Sequence, residues 1–339
     1  MTVSDMDRAL AFYTTVLGCT PTADIEAWGE DDERLDGVFG LRKRVVHLRL
    51  GDETLVLTDY LTAGGRPIPP DSRSHDAWFQ HVAIVVSDMD RAYRWLRAHK
   101  VVHASTGPQR LPDWNPNAGG IEAFYFRDPD DHNLEVIRFP AGKGDPKWQA
   151  RAAAAVPRDG APGDLFLGID HTAIVVRDTE ASTRFYATLL GLRVAGHSDN
   201  HGTEQEHLNN VRGARLRITG LRADFGPGIE FLEYLSPRDG RPYPGDARAD
   251  DIVHWQTVLV AADLGAVAAR LRAAHARLVA PQPIVLDDAS LGFATALRVR
   301  DPDGHVLEVT NSWQTPSSST ASPPAETAGR PDRQPGRER

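Results

Sequence analysis

His81-Val-Ala-Ile-Val-Val-Ser-Asp88 and His171-Thr-Ala-Ile-Val-Val-Arg-Asp178 are near-copies, and each leads into a segment with aromatic and leucine residues at helical spacing. The same unit starts mid-strand at the N-terminus, where Val3-Ser4-Asp5-Met6-Asp7-Arg8 repeats Val86-Ser87-Asp88-Met89-Asp90-Arg91. A weaker fourth copy, Gln256-Thr-Val-Leu-Val-Ala-Ala-Asp263, keeps the spacing to its aspartate and leads into an Ala/Leu/Arg-rich helix over Leu264–Ala276. A repeat of this kind decides the architecture ahead of local propensity, because each copy is one supersecondary unit. Four modules result, each predicted as a strand, an amphipathic helix and further strands.

Other motifs recur in the same order. Arg127-Asp-Pro-Asp-Asp-His-Asn-Leu-Glu135-Val answers Arg300-Asp-Pro-Asp-Gly-His-Val-Leu-Glu308-Val, a turn feeding an apolar strand. Phe12-Tyr13 before Leu17-Gly18 recurs as Phe185-Tyr186 before Leu190-Gly191, and Asp59-Tyr60-Leu61 with Gly65-Arg66-Pro67 recurs as Glu233-Tyr234-Leu235 with Gly240-Arg241-Pro242.

The 339 residues exceed the usual size of one hydrophobic core, so two domains are expected. Apolar residues at 41% and charged residues at 25% are globular values, and no apolar run reaches the length of a membrane span. A net charge of −9 offers no basic footprint for nucleic acid or anionic lipid, which leaves a small-molecule substrate as the partner and a homodimer as the assembly to test. With one cysteine, Cys19, and no secretion signal, a cytoplasmic location is the simplest expectation. Gly, Pro and charge flank an Ala-rich middle over 141–165, read as a linker with one or two helical turns. The Ser/Thr/Pro/Gly/Arg-rich stretch 315–339 has almost nothing to bury and is expected to be a disordered tail.

Together, the first-strand His, the FY and LG helix and the final DPD-x-x-x-LE strand resemble the glyoxalase, bleomycin-resistance and extradiol-dioxygenase superfamily, the vicinal-oxygen-chelate (VOC) proteins. The resemblance runs from Met1 to about Ser312. It implies an α+β fold of four βαβββ modules forming two cup-shaped glyoxalase-like domains, here 1–140 and 166–314. In that superfamily each pair of modules offers four inward positions, on the first and last strand of each module. Carried over to the C-terminal pair, they are His171, Glu230, Gln256 and Glu308. That set suits one divalent Zn, Ni, Co, Mn or Fe ion. The seven-residue offset to Asp263 selects Gln256, with His254 as the alternative should the strand slip. Glu308 lies between Leu307 and Val309, where an unpaired carboxylate would be expensive, and a metal is the expected remedy. Glu233, near Glu230, is expected to face solvent or to bind the loop of Arg241 or Arg248.

The N-terminal pair departs from the pattern. Its first strand is cut short, because the position seven residues before Asp5 precedes Met1, and Val56 stands where Glu230 stands. Only the pair His81 and Glu135 remains, so this half is expected to carry a vestigial site, with a natural start upstream of Met1 as a further expectation. The resemblance implies metal-assisted lyase or isomerase chemistry, with Glu230 or Glu308 moving a proton beside a carbonyl. The rivals are an extradiol dioxygenase, which needs two His and one carboxylate and so would require His254, and a non-catalytic drug-binding protein whose cavity Trp78, Phe79, Trp255 and Phe293 would line.

Overall fold

A computed structural model describes residues 1–62, 64–156, 162–287 and 289–314, so the tail expected over 315–339 and part of the linker lie outside the described residues. Module 1 runs β1 (Thr2–Val3), α1 (Met6–Thr15), β2 (Thr20–Trp28), α2 (Glu30–Asp36), β3 (Arg42–Leu50) and β4 (Glu53–Tyr60). Module 2 runs β5 (Gln80–Val86), α3 (Met89–Ala98), the short β6 (Val102–His103) and β7 (Gln109–Arg110), β8 (Glu122–Arg127) and β9 (Asn133–Arg138). Helix α4 (Pro146–Ala154) forms the helical part of the linker. Module 3 runs β10 (Phe166–Val175), α5 (Thr179–Thr183) continued by a π-helical turn (Arg184–Leu189), β11 (Arg193–His201), α6 (Thr203–Asn209), β12 (Arg215–Arg222) and β13 (Gly228–Ser236). Module 4 runs β14 (Gln256–Val260), α7 (Leu264–Ala273), β15 (Arg277–Leu278), β16 (Ile284–Val285), β17 (Thr295–Arg300) and β18 (Val306–Thr310). Among the described residues no helix is long and apolar enough to cross a membrane.

The aspartate that marks each repeat is a helix N-cap. Asp5, Asp88, Asp178 and Asp263 each accept a hydrogen bond from a backbone N–H of the first turn, which fixes where the first strand ends and the helix begins. Asp128 and Asp301 of the two Asp-Pro-Asp turns accept backbone N–H groups of their own loops and also a tyrosine hydroxyl from the neighbouring module, Tyr13 at 2.9 Å and Tyr186 at 3.1 Å.

Cores and sheets divide the modules differently. One core joins α1 and α3 to strands of modules 1 and 2, through Met6, Tyr13, Leu48, Leu57, Ile84, Leu96 and Phe124. A second joins modules 3 and 4, through Tyr186, Phe231, Leu271 and Leu297. The ladders cross these pairs: β5 pairs antiparallel with β10, so modules 2 and 3 form one nine-stranded sheet in the order β11-β12-β13-β10-β5-β9-β8-β6, with β7 beside β8. Modules 1 and 4 supply the sheets β1-β4-β3-β2 and β14-β18-β17-β15, with β16 beside β17, and these meet where Thr2 N–H donates to the His254 carbonyl. Each cup is thus built from modules 2 and 3 or from modules 1 and 4, not from the pairs 1 and 2 or 3 and 4 that share a core.

The proline-rich segments clasp these same pairs. Arg66 bonds Asp251 and Asp246, tying module 1 to the approach of module 4, while Arg241 bonds Asp76 and Asp71, tying module 3 to the approach of module 2. These ion pairs therefore join cup partners.

Candidate metal centre

Strands β13, β10, β5 and β9 lie side by side in the middle of the nine-stranded sheet, and each presents one polar side chain on the concave face: Glu230, His171, His81 and Glu135. Alternation along the strands places them there, with Ala83 and Ala173 as small neighbours that keep the centre uncrowded. His81 Nε2 lies 3.2 Å from Glu135 Oε2, and His171 Nε2 lies 3.6 Å from both Glu135 Oε2 and Glu230 Oε2. Single ligand atoms of His81, Glu135 and His171 all fall within 4.8 Å of one another.

His81 and Glu135 are fully buried, yet neither ring nitrogen of His81 nor Nε2 of His171 has a hydrogen-bond partner among the described residues. Buried polar atoms left unpaired are costly, and here they converge with two carboxylates. Two imidazoles and two carboxylates fit a borderline divalent ion, which would satisfy them all at once.

His171 is oriented from behind. A bulge in β10 between Ile169 and His171 turns Asp170 onto the ring, whose Nδ1–H donates to Asp170 Oδ2 at 3.0 Å. That hydrogen bond directs Nε2 at the two glutamates. Asp170 in turn accepts from Trp148 Nε1 at 2.7 Å and Arg222 Nη2 at 3.0 Å. Burial opposes charge on this carboxyl, but His171, Arg222 and Trp148 hold it well below the usual carboxylate range. Burial also opposes charge on His171, yet Glu230, Asp170 and Glu135 raise it to about 9.

The segment expected as a linker is therefore part of the site. Trp148 of α4 lies on Gly168, where a Cβ would come within 3.1 Å of the indole, and with Leu167, Val85 and Ile137 it covers one end of the cup. At the other end Phe79, Tyr125, Tyr234 and Leu208 of α6 pack together. The two glutamates differ in what stands across the ladder. Glu135 faces Tyr125, whereas Glu230 faces Gly220, beside which there is open space. The Glu230 side chain is accordingly 29% exposed against 5% for Glu135, so the centre opens on the Glu230 side. Burial raises the Glu230 pKa, with His171 opposing and Glu135 reinforcing the shift.

The set expected for the C-terminal pair, His171, Glu230, Gln256 and Glu308, is not brought together. His171 and Glu230 join His81 and Glu135, the pair expected to be vestigial, whereas Gln256 and Glu308 lie in the other cup. There Glu308 Oε2 accepts from Arg298 Nε and Gln256 Nε2, both at 2.9 Å, so a guanidinium supplies the positive charge that a metal was expected to bring. Asp36, entering from α2, lies 2.7 Å from Arg298 Nη1 and 3.0 Å from Lys43. His254, the alternative ligand, bonds Gln256 Oε1 at 3.2 Å, and burial next to Arg298 pushes its pKa down to about 3. Glu233 is buried rather than solvent-facing, and it accepts from Thr179 N and from Arg238, which lies in the loop that also carries Arg241 and Arg248. The pairing of β5 with β10 is what the sequence concealed, since backbone ladders between edge strands leave no side-chain signature. The seven-residue offset had already put His81 and His171 in equivalent positions.

The chain belongs to the Glyoxalase/Bleomycin resistance protein/Dioxygenase superfamily, whose family model matches residues 1–136 and 168–309. A 2-epi-5-epi-valiolone epimerase from an Actinomyces species is 34% identical over 145 residues, covering 42% of this chain and 77% of that protein. Glyoxalase I from Zea mays superposes with a TM-score of 0.56 at 17% identity, over 91% of this chain and 89% of its own. A candidate dioxygenase from Bacillus subtilis subsp. subtilis str. 168 gives 0.52 at 15% identity, over 91% and 82%. At those identities the solved structures share the fold, and function has to be argued from the site.

Proposed function

We propose that the protein is a divalent-metal-dependent enzyme of the isomerase or lyase kind, moving a proton next to a carbonyl of a small substrate with neighbouring oxygens. The observation that carries this reading is the convergence of His81, Glu135, His171 and Glu230, with both ring nitrogens of His81 and Nε2 of His171 lacking a hydrogen-bond partner among the described residues. These four residues would hold the ion, which supplies Lewis acidity towards a substrate oxygen and so makes the adjacent C–H more acidic.

Glu230 is the residue placed to move the proton. It stands on the open side, beside Gly220, and its raised pKa suits a carboxylate that must both accept and return a proton near neutral pH. Epimerisation involves no net redox change: the proton leaves carbon for the Glu230 carboxylate and passes to solvent on the open side, while the opposite face of the carbon takes its proton from water, which is the second donor that inversion requires. Tyr125 covers Glu135 and keeps it from that role, while Asp170 keeps His171 in register. The likeness to an epimerase supports the reading.

Solvent deuterium entering the carbon next to the carbonyl, followed by NMR over a panel of hydroxyketones and dicarbonyls, tests it. Exchange in the metal-loaded wild type and its loss in Glu230→Gln are expected; exchange undiminished in that variant would defeat the assignment. Ring-cleaving dioxygenation is the second reading, favoured by the two-His, one-carboxylate group His81, His171 and Glu135. It leaves Glu230 without a role, so oxygen uptake with a catechol that survives Glu230→Ala would select it. As for the drug-binding reading, Trp78, Phe79 and Trp255 line a water-sized cavity of about 30 Å³, whereas Trp255 and Phe293 line a cavity of about 1070 Å³ in the cup of modules 1 and 4, which is large enough for a ligand.

A further inference from the structure

The cup of modules 2 and 3 holds polar atoms that the four candidate ligands do not use, gathered towards α6. Tyr125 of β8 stands across the ladder from Glu135, with its ring 4.8 Å from that of His81. Tyr234 of β13 lies on the same strand face as Glu230, two alternations further along, and shares a buried cluster with Tyr125 and with Leu208 of α6. The Tyr234 hydroxyl has no hydrogen-bond partner among the described residues. Neither has Nδ2 of Asn209 at the end of α6, which is 1% exposed, nor Nδ1 of His75, whose ring centroid is 5.6 Å from that of Tyr234.

These atoms are held in place from behind. Asn209 Oδ1 accepts from Gln205, Gln205 Oε1 accepts from Asn200 at 3.0 Å, and Asn200 Oδ1 accepts from Asn115 at 2.8 Å, so each amide is fixed in one orientation. The Asn209 amide stands beside the Tyr234 hydroxyl: burial pushes the pKa of that phenol well up, and Asn209 pulls the other way. Asp239 holds Nε2 of His75 at 3.1 Å, which leaves Nδ1 to accept. The arginines around this end are already paired, Arg73 with Asp76 and Asp239, Arg217 and Arg238 with Glu233. What these buried atoms lack is a partner that donates, accepts and carries no charge, which is the chemistry of an alcohol.

We propose that Tyr234 and Asn209 form with Tyr125 a hydroxyl-recognition subsite, and that the substrate is a neutral polyhydroxylated carbonyl compound. The carbonyl end of this inference rests on the proton-transfer reading above; the hydroxyl end does not. Four residues of strand, about 13 Å, separate Glu230 from Tyr234, so the substrate is a compound of several carbons and not a triose. A phosphate or carboxylate at this end would meet arginines that are already paired, and its charge would be buried without a partner. A site built to bond a hydroxyl in turn rejects an analogue that lacks it.

The test compares, by isothermal titration, the affinities of the metal-loaded protein for 2-inosose, a cyclohexanone with hydroxyls on every other ring carbon, and for 2-hydroxycyclohexanone. The polyol ketone is expected to bind more tightly by about tenfold or more, and Tyr234→Phe to bring the ratio near one with metal content unchanged. Tyr125→Phe serves as the second variant should Tyr234→Phe fail to fold. Absence of a preference in the wild type, failure of both probes to bind included, overturns the proposal, and so does a preference that survives both variants. Lower stability of Tyr234→Phe with the preference intact would make these groups a seat for buried water, which equally overturns it. Binding is read without turnover, so the two readings fail separately. A preference kept in a protein that exchanges no deuterium removes the proton transfer alone, and exchange without a preference removes the subsite alone.

Discussion

One cup sets its buried carboxylates against imidazoles that could hold an ion with them, the other against a guanidinium. The backbone positions correspond: Glu230 stands opposite Ala173 as Glu308 stands opposite Val258, and Arg298 faces Glu308 across the ladder as Tyr125 faces Glu135. Both arrangements remove the penalty on a buried carboxylate. They differ in what they leave free. A metal keeps positions open for substrate, whereas Arg298 is consumed by Glu308 and Asp36, and chemistry is accordingly assigned to the cup of modules 2 and 3.

The comparison breaks most readily on metal content. About one tightly bound transition metal per chain is expected, abolished in Glu135→Gln and in His171→Ala, and unchanged in Glu308→Gln, by elemental analysis after reconstitution. Loss in Glu308→Gln with retention in Glu135→Gln would exchange the roles of the two cups.

The residue types of this site were legible in the sequence, and so was the architecture of four modules. His81, Glu135, His171 and Glu230 all stand out as inward positions of repeated strands. Their partnership was not legible, because the cores do join sequence neighbours through Tyr13 to Asp128 and Tyr186 to Asp301, which suggests that the cups do too. Arg298 escaped notice for a related reason: an arginine in a strand reads as solvent-facing until the carboxylate across the ladder is known. The Arg66 and Arg241 clasps mark the pairing, since each finds its aspartate in the approach to a module outside the pair that shares its core.

Removing the guanidinium sharpens the contrast. Arg298→Met leaves Glu308 and Asp36 buried beside Lys43 alone, and a loss of about 3–5 kcal/mol in unfolding free energy is expected by urea denaturation. Metal stoichiometry should not change. Tyr125→Phe, at the equivalent ladder position, should cost under about 1.5 kcal/mol, because no buried charge is orphaned.

Acid should act on the cup of modules 1 and 4 through its uncharged histidines. Burial lowers His47 to about 4, and burial with Arg298 lowers His254 to about 3. Both folded values lie below the unfolded value near 6.5, so the unfolded chain takes up protons first and stability falls as pH drops from about 6.5 towards 4 and then 3. Each ring should withdraw about 2 kcal/mol by pH 5. His47→Leu is expected to recover its share in denaturation measured at pH 5, relative to the same variant at pH 7.5. Identical recovery at both pH values would mean that packing, not protonation, was changed.

The smallest expected effect concerns the linker helix. Trp148→Phe keeps a ring on Gly168 but removes the indole N–H that donates to Asp170, leaving Arg222 and His171 as its side-chain partners. If α4 helps to orient His171, metal affinity measured by Zn²⁺ titration should fall about tenfold, a typical cost for losing a partner behind a ligand. Stability should fall by only about 1 kcal/mol. A strut would lose stability and keep its affinity, whereas a positioning element loses affinity out of proportion to stability. The cup of modules 1 and 4, whose carboxylate is held by Arg298 without any such relay, provides the reference: Arg298→Met should lower stability without touching metal affinity, the reverse of what Trp148→Phe does.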